Sequence, residues 1–282
     1  MKKLILIAVA LVNVTVGAQH KKNETETIIT GVVMNAIESF SESDYKTETF
    51  KIKHSKGILS LNLGKTSIEG YDGNEIIFER KALITSQDER SKGLQAVSQN
   101  GMIDNTGIGI NVTTKNDVVE VKEINMLAAN EIKVKVPKNI KIVYKNESQF
   151  AQEISIKNMS NEIEADLKYS SLNLENISGP LTANLVHGNA DVKFNQTVKG
   201  PVSIISIYGF VDVAISSKAN VNFKLSTNYG EILTDPNLNI KLNPNEENGL
   251  FKNIMTGKMN SGGTDFQLRS DYNKIYIRSN NK

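Results

Sequence analysis

The chain has 282 residues, with 33 Lys+Arg against 31 Asp+Glu, three His, no Cys and no Trp. Without Cys there is no disulfide framework, no Cys-ligated zinc or iron–sulfur centre and no thiol nucleophile. Without a clustered excess of Lys/Arg there is no electrostatic footprint for nucleic acid.

Residues 1–18 read as an address. Lys2 and Lys3 form a positive start, Leu4 to Val16 is mostly apolar but too short to span a bilayer, and Val16-Gly17-Ala18 offers small residues for a cut after Ala18. Polar Gln19-His20-Lys21-Lys22-Asn23 follows at once, which favours a cleaved signal peptide over an uncleaved anchor or a buried strand. The expected compartment is the periplasm, the outer surface or the extracellular space. No Cys follows the apolar run, so no lipoprotein anchor is expected. Cleavage would remove two Lys and no acids, leaving 31 basic and 31 acidic residues and no reason to seek DNA or an anionic membrane. No later apolar run is long enough for a transmembrane helix.

Residues 19–44 form a polar N-terminal segment with one apolar patch, Ile28 to Ile37, compatible with a strand or a short helix. From there the pattern predicts one domain over residues 45–278. Short alternating runs follow one another: Ile58-Leu59-Ser60-Leu61-Asn62-Leu63, Val118-Val119-Glu120-Val121, Ile132-Lys133-Val134-Lys135-Val136, Ile140-Lys141-Ile142. Period-two alternation signals half-buried strands, and Gly, Asn, Asp and Ser punctuate the runs as turn chemistry requires. Met126 to Glu131 is the one tempting helical piece, too short to be stable alone. The chain reads as all-β.

A repeat of about 21 residues runs through the second half. Rings at Tyr169, His187, Tyr208, Tyr229 and Tyr272 are 18, 21, 21 and 43 residues apart. Each is followed by a small or turn-forming residue, Ser170, Gly188, Gly209, Gly230 or Asn273, and then by a short strand. In phase with them, Gly179-Pro180 and Gly200-Pro201 recur 21 residues apart. Hairpins of a sandwich or barrel also give regular turn signals. A near-constant step with two markers in phase instead favours a single-stranded right-handed β-solenoid (β-helix) from about residue 140, capped by the earlier strands. Matching positions then stack at the strand spacing of about 4.8 Å, the rings form a ladder, and the glycines take corners that need φ > 0. In this reading Tyr169, His187, Tyr208 and Tyr229 are the ladder and Gly179, Gly188, Gly200, Gly209 and Gly230 its corners. The Asn-rich stretch 236–262 breaks the repeat.

The motifs of common chemistry are missing. There is no G-x-S-x-G elbow; His20 lies near the expected new N-terminus, His54 in a Lys-rich strand and His187 in the ladder, so a Ser/His/Asp triad is not expected. Gly107-Ile108-Gly109 lacks the third glycine and the helix of a dinucleotide fingerprint. Glu69-Gly70-Tyr71-Asp72-Gly73-Asn74-Glu75 gathers acids on a turn, but not at the spacing of a calcium loop. No cofactor and no metal is expected. Asp191 and Asp212 fall one repeat apart, so they would be neighbours about 5 Å apart, and mutual repulsion would raise one carboxyl's pKa. Several N-x-[ST] sequons occur, at Asn111, Asn146, Asn158, Asn176 and Asn195.

The runs Lys56 to Gly64, Ile68 to Glu79, Lys92-Gly93-Leu94 with Asp104 to Gly109, and the Gly-Pro and Tyr-Gly series from Gly179 to Ile232 together resemble secreted Bacteroidota proteins of the putative-adhesin, β-strand-repeat family, a domain of unknown function. The likeness covers about residues 45–240. It implies export and a β-solenoid, and brings no catalytic residues with it. Beside a third, a scaffold component of the periplasm, two functions follow from these readings. One is a non-catalytic binding module of the cell envelope that presents a repetitive sheet face to a glycan or an envelope protein, with Asn173, Asp191 and Asp212 as the exposed face. The other is a carbohydrate-active lyase- or hydrolase-like enzyme with a cleft on the coil, which would need a groove lined by at least two acids.

Overall fold

The computed structural model describes residues 45–83, 90, 93–95, 97–98, 101–125, 130–150, 152–244 and 249–280. The chain divides into two compact units, Met1–Tyr45 and Lys46–Lys282, and of the first only Tyr45 is described. The expected export signal, the 19–44 segment and residues 126–129, the centre of the piece that tempted a helical reading, therefore lie outside the described residues.

Among the described residues the elements of the second unit are all strands. It opens with β1 (Tyr45–Lys53), β2 (Ile58–Asn62), β3 (Thr66–Tyr71), β4 (Glu75–Leu83), β5 (Ile110–Lys115), β6 (Val118–Glu123) and β7 (Ile132–Pro137). The middle holds β8 (Lys141–Asn146), β9 (Glu153–Lys157), β10 (Ile163–Leu167), β11 (Ser171–Ile177), β12 (Leu181–Leu185), β13 (Ala190–Phe194), β14 (Val202–Ser206) and β15 (Val211–Ile215). It closes with β16 (Val221–Thr227), β17 (Ile232–Thr234), β18 (Ile240–Pro244), β19 (Asn253–Met259), β20 (Thr264–Ser270) and β21 (Ile275–Ser279). No described helix is long and apolar enough to cross a membrane, which leaves membrane crossing by strands untouched.

The strands form two large mixed sheets rather than a stack of single strands. A ten-stranded sheet runs β1-β4-β7-β3-β9-β11-β13-β15-β21-β17, and an eleven-stranded sheet runs β18-β19-β16-β20-β14-β12-β10-β8-β2-β6-β5. From β8 to β15 consecutive strands alternate between the sheets, and each pairs in parallel with the strand two places on. Parallel neighbours need a long crossover, commonly a helix; here the crossover is the intervening strand of the opposite sheet. One repeat of the sequence thus supplies one strand to each sheet.

Alternation follows from this geometry. Each strand turns every second side chain inward, and the parallel register piles them into columns. Ile142, Ile163, Leu181, Val202, Phe266 and Phe223 form one such column across six strands, all of them buried. Both sheets feed one core. Phe194 of the ten-stranded sheet meets Phe266 of the eleven-stranded sheet edge to face at 5.3 Å. Each such side chain removed from water contributes roughly 1.5–3 kcal/mol before entropy is counted.

The repeat order differs from the sequence order at both ends. β20 and β21 insert between β14/β15 and β16/β17. At the other end β2 and β3 lie inside β6 and β7. The Asn-rich stretch also carries regular structure that the sequence reading missed: β19 pairs antiparallel with β16, and β18 with β19. Antiparallel β4 on β7 and β5 on β6 finish the opposite end.

Candidate functional site

The ring positions line up along one corner of the fold, in the turns that lead from the eleven-stranded sheet into the ten-stranded sheet. Tyr169 stacks on His187 at 4.9 Å, His187 on Tyr208 at 4.7 Å, Tyr208 on Tyr272 at 5.2 Å and Tyr272 on Tyr229 at 5.1 Å, with planes 6–15° apart. Tyr272 sits between Tyr208 and Tyr229, because β21 takes the slot between β15 and β17. Phe251 closes the far end against Tyr229, tilted by 32°. The tyrosines stay 39–60% exposed, so the stack is a surface feature.

The backbone sets this spacing. His187 N–H donates to Lys168 O, Tyr208 to Val186, Tyr272 to Ile207 and Tyr229 to Asp271. Ladder hydrogen bonds thus continue round the corner, and ring spacing equals strand spacing. A buried hydroxyl three residues before the small residue ties the later corners. Ser206 Oγ accepts from Gly209 N–H and donates to Gly188 O, at 3.0 and 2.8 Å. Ser270 Oγ donates to Gly209 O at 2.9 Å. Thr227 Oγ1 accepts from Gly230 N–H at 2.9 Å and donates to Asn273 O at 3.4 Å. The sequence reading saw the rings and passed over these hydroxyls, although their constant offset was visible.

Gly179, Gly188, Gly200, Gly209 and Gly230 do not have positive φ, contrary to expectation; among the described residues the glycines that do are Gly57, Gly93, Gly101, Gly107, Gly109 and Gly262. What demands glycine at the ladder corners is close approach. A Cβ would run into the carbonyl oxygen of Ser170 at Gly188, of Gly188 at Gly209 and of Asn273 at Gly230. At Gly179 it would run into Asn161 O, and at Gly200 into the Pro180 ring.

Within the repeats the left-handed corners fall to asparagine. Asn158 (φ 61°) and Asn176 (φ 56°) turn at equivalent places, and Asn176 Nδ2 donates to Asn158 Oδ1 at 2.7 Å. The next residues, Met159 and Ile177, are buried. These two sequons therefore coincide with a corner that needs Asn, then an apolar plug, then Ser.

Asn173, Asp191 and Asp212 lie side by side in one row of the outer face of the ten-stranded sheet, followed by Tyr276. Asn173 is exposed, but both aspartates are half-buried, which corrects the expectation of an exposed acidic pair. Arg278 Nε donates to both Asp212 oxygens, at 2.8 and 2.7 Å, and its guanidinium lies over the Tyr276 ring. Burial, and then the neighbouring Asp212 charge, raise the Asp191 carboxyl above its ordinary value. No donor among the described residues hydrogen-bonds that carboxylate. Asp212, held by Arg278, is a poor second acid for hydrolysis.

A shallow cleft of about 520 Å³ lies beside Tyr169, the first ring of the stack among the described residues. Lys65, Gln152, Glu153, Asn173, His187 and Asp191 share its walls with Tyr169. That volume lies within the range of small-ligand sites.

The remaining candidates are spent elsewhere. In the Glu69–Glu75 turn, Asp72 pairs with Lys138 at 2.7 Å, Glu69 with Lys157 at 3.6 Å, and Tyr71 OH donates to Glu75 O at 2.7 Å. Among the described residues no group of three His or acidic side chains is placed to hold a metal ion. Gly107 and Gly109, both at φ near +80°, wrap their amides round the Asp104 carboxylate with Thr106. Burial alone would raise that carboxyl, but these hydrogen bonds outweigh it and lower its pKa. His54 sits in the turn after β1, half-buried.

No protein-family model and no curated protein matches the chain. Solved structures that match include a putative cell adhesion protein from Clostridium sporogenes, 14% identical over 83% of this chain and 99% of that one, at a TM-score of 0.44. A putative adhesin from Bacteroides fragilis matches at 12% identity over 85% of this chain and 98% of that one, at a TM-score of 0.32. A putative lipid binding protein from Parabacteroides distasonis matches at 10% identity over 86% and 96%, at 0.24. At these TM-scores the likenesses carry no inference about this chain.

Proposed function

We propose that this chain is an exported, non-catalytic binding module of the cell envelope, an adhesin-like protein whose repeats wind as one right-handed β-solenoid of two-strand turns. The observation that carries the reading is the row of Asn173, Asp191, Asp212 and Tyr276 beside the exposed ring stack, both repeating at the strand step. A surface that repeats every 5 Å or so suits a partner that is itself extended: a glycan, or a strand-like segment of an envelope protein. The alternation of sheets supports the solenoid reading, and the general preference of parallel crossovers supports the right hand. The charge pattern of the first eighteen residues supports export.

A glycan array and a pull-down from envelope extract test the binding role. The expected result is a signal that soluble competitor displaces in one of the two. Silence in both would remove the reading.

A further inference from the structure

The ten-stranded sheet has a second corner, at the far end of the same strands from the rings, where β9, β11, β13 and β21 end. A cavity of about 630 Å³ lies there, larger than the cleft beside Tyr169. Lys157, Glu175 and Lys193 stand side by side across three strands of its wall. The backbone at this corner is already spent. Asn158 N–H donates to Glu175 O, Asn195 to Ile177 O and Asn280 to Ile215 O, at 2.7–3.0 Å. Those amides offer no edge for an added peptide strand. The one apolar residue that lines the cavity, Phe194, is buried.

What the cavity offers is side-chain polar groups, each half used. Asn176 Nδ2 donates to Asn158 Oδ1 at 2.7 Å and Asn280 Nδ2 to Phe194 O at 2.6 Å. Gln196 Oε1 accepts from Ser216 Oγ at 3.0 Å, and Asn195 Oδ1 accepts from the Gln196 amide. The Asn176 and Asn280 carbonyl oxygens and the Asn195 and Gln196 amino groups have no partner among the described residues. Such a mixture suits hydroxyls, which both donate and accept. Two further groups favour an anion. Lys157 reaches Glu69 at 3.6 Å, whereas Lys193 makes no hydrogen bond or ion pair with any described residue. Ser279, another wall residue, has a buried Oγ with no hydrogen-bond partner, a costly state that a ligand relieves. Two lysines against Glu175 leave the cavity one positive charge, whereas the cleft beside Tyr169 sets Lys65 against Glu153 and Asp191. One spare ammonium suits one carboxylate; a phosphate dianion would ask for a guanidinium fork or a second free cation.

We infer that this cavity is a subsite for an acidic sugar, in which Lys193 takes the carboxylate of a uronate unit of a glycan and Ser279 and the Asn and Gln amides hold its hydroxyls. The inference rests on the binding reading above for the kind of partner, and it places the contact at the corner opposite the rings.

Calorimetric titration of the full chain at low salt with tetragalacturonate, tetramannuronate and a hyaluronan tetrasaccharide tests the assignment. At least one is expected to bind, and its carboxyl-reduced counterpart should bind at least about tenfold more weakly, the size of a lost charged hydrogen bond. Lys193→Gln should show the same loss. Lys145→Gln, the same charge change on the exposed face of β8 in the other sheet, should stay within about twofold of wild type. Ser279→Ala separates ligand contact from architecture: it should bind about threefold to tenfold more weakly yet melt no lower than wild type, because its Oγ has no partner to lose. Wild-type affinity in a folded Lys193→Gln would overturn the site. Equal binding of the carboxyl-reduced tetramer would overturn the acidic class, and equal binding of a tetrapeptide of Asp and Glu would overturn the sugar. Binding of none of the acidic tetramers would overturn the inference as a whole, while a displaceable neutral glycan or envelope protein would still uphold the wider binding role.

Discussion

At residues 188, 209 and 230 the chain has room for a hydrogen and nothing more, because the carbonyl of the neighbouring repeat lies where a Cβ would go. Gly209→Ala should therefore cost about 1–3 kcal/mol, as overpacking of a tight site does, and Gly209→Val more. Denaturant titration checks this, and an unchanged midpoint for Gly209→Val would contradict the close approach. The sequence showed that something at these positions had to be small. It could not say whether a positive φ or a crowded backbone was the reason, since glycine answers both. Asp191 supplies a second test. Its folded-state pKa is raised above the ordinary 3.8, by burial first and by Asp212 second. Lys193 and Arg278 pull the other way and Glu153 adds to the rise. Folding therefore binds a proton here. Its contribution to stability should grow as pH falls through the folded pKa and be complete below 3.8, while the ionised form weighs against the fold at neutral pH. Asp191→Asn should melt higher than wild type at pH 7, and the gap should close in acid.

At the scale of elements, strand positions were legible because alternation reports a half-buried face directly, as in Ile163-Glu164-Ala165-Asp166-Leu167. The edges were less so. β18, the edge strand, and β19 beside it carry Asn, Lys and Gly among few apolar residues, since the end of a sheet buries little and its sequence resembles a loop. One link between the sheets was invisible. Arg80 on β4 and Glu123 on β6 form a buried ion pair across the core. Arg80 also donates to Ile108 O at 2.9 Å, and the Gly64 amide donates to Glu123 at 2.7 Å. Burial pushes the Glu123 carboxyl up, against the pull of that amide and of Arg80. Removing one partner strands a charge, so Arg80→Met should cost about 3–5 kcal/mol, whereas Arg80→Met combined with Glu123→Leu should recover much of it. A double-mutant cycle by chemical denaturation gives the coupling; strict additivity would rule the clamp out.

For the whole molecule, the decisive feature is the threading of late chain into an inner slot. β20 and β21 are last in sequence, yet they bridge β14/β15 to β16/β17. Deleting residues 263–282 would not trim an end but open a gap between two sets of parallel edges, which are prone to pair with other chains. The truncated chain should lose more β signal in circular dichroism than its length accounts for and should aggregate in size-exclusion chromatography. A monomer that melts like the full chain would refute the bridging role. The sequence alone determined that the domain is all-β, where most strands lie and which rings share a register, because period two and a fixed repeat are local consequences of pleat and strand spacing. Only the tertiary structure decided that each repeat feeds two sheets, that Tyr272 precedes Tyr229 in the stack and that the aspartates are half-buried. Those depend on which strand wins each hydrogen-bonding slot, a choice among residues far apart in sequence that no local pattern encodes.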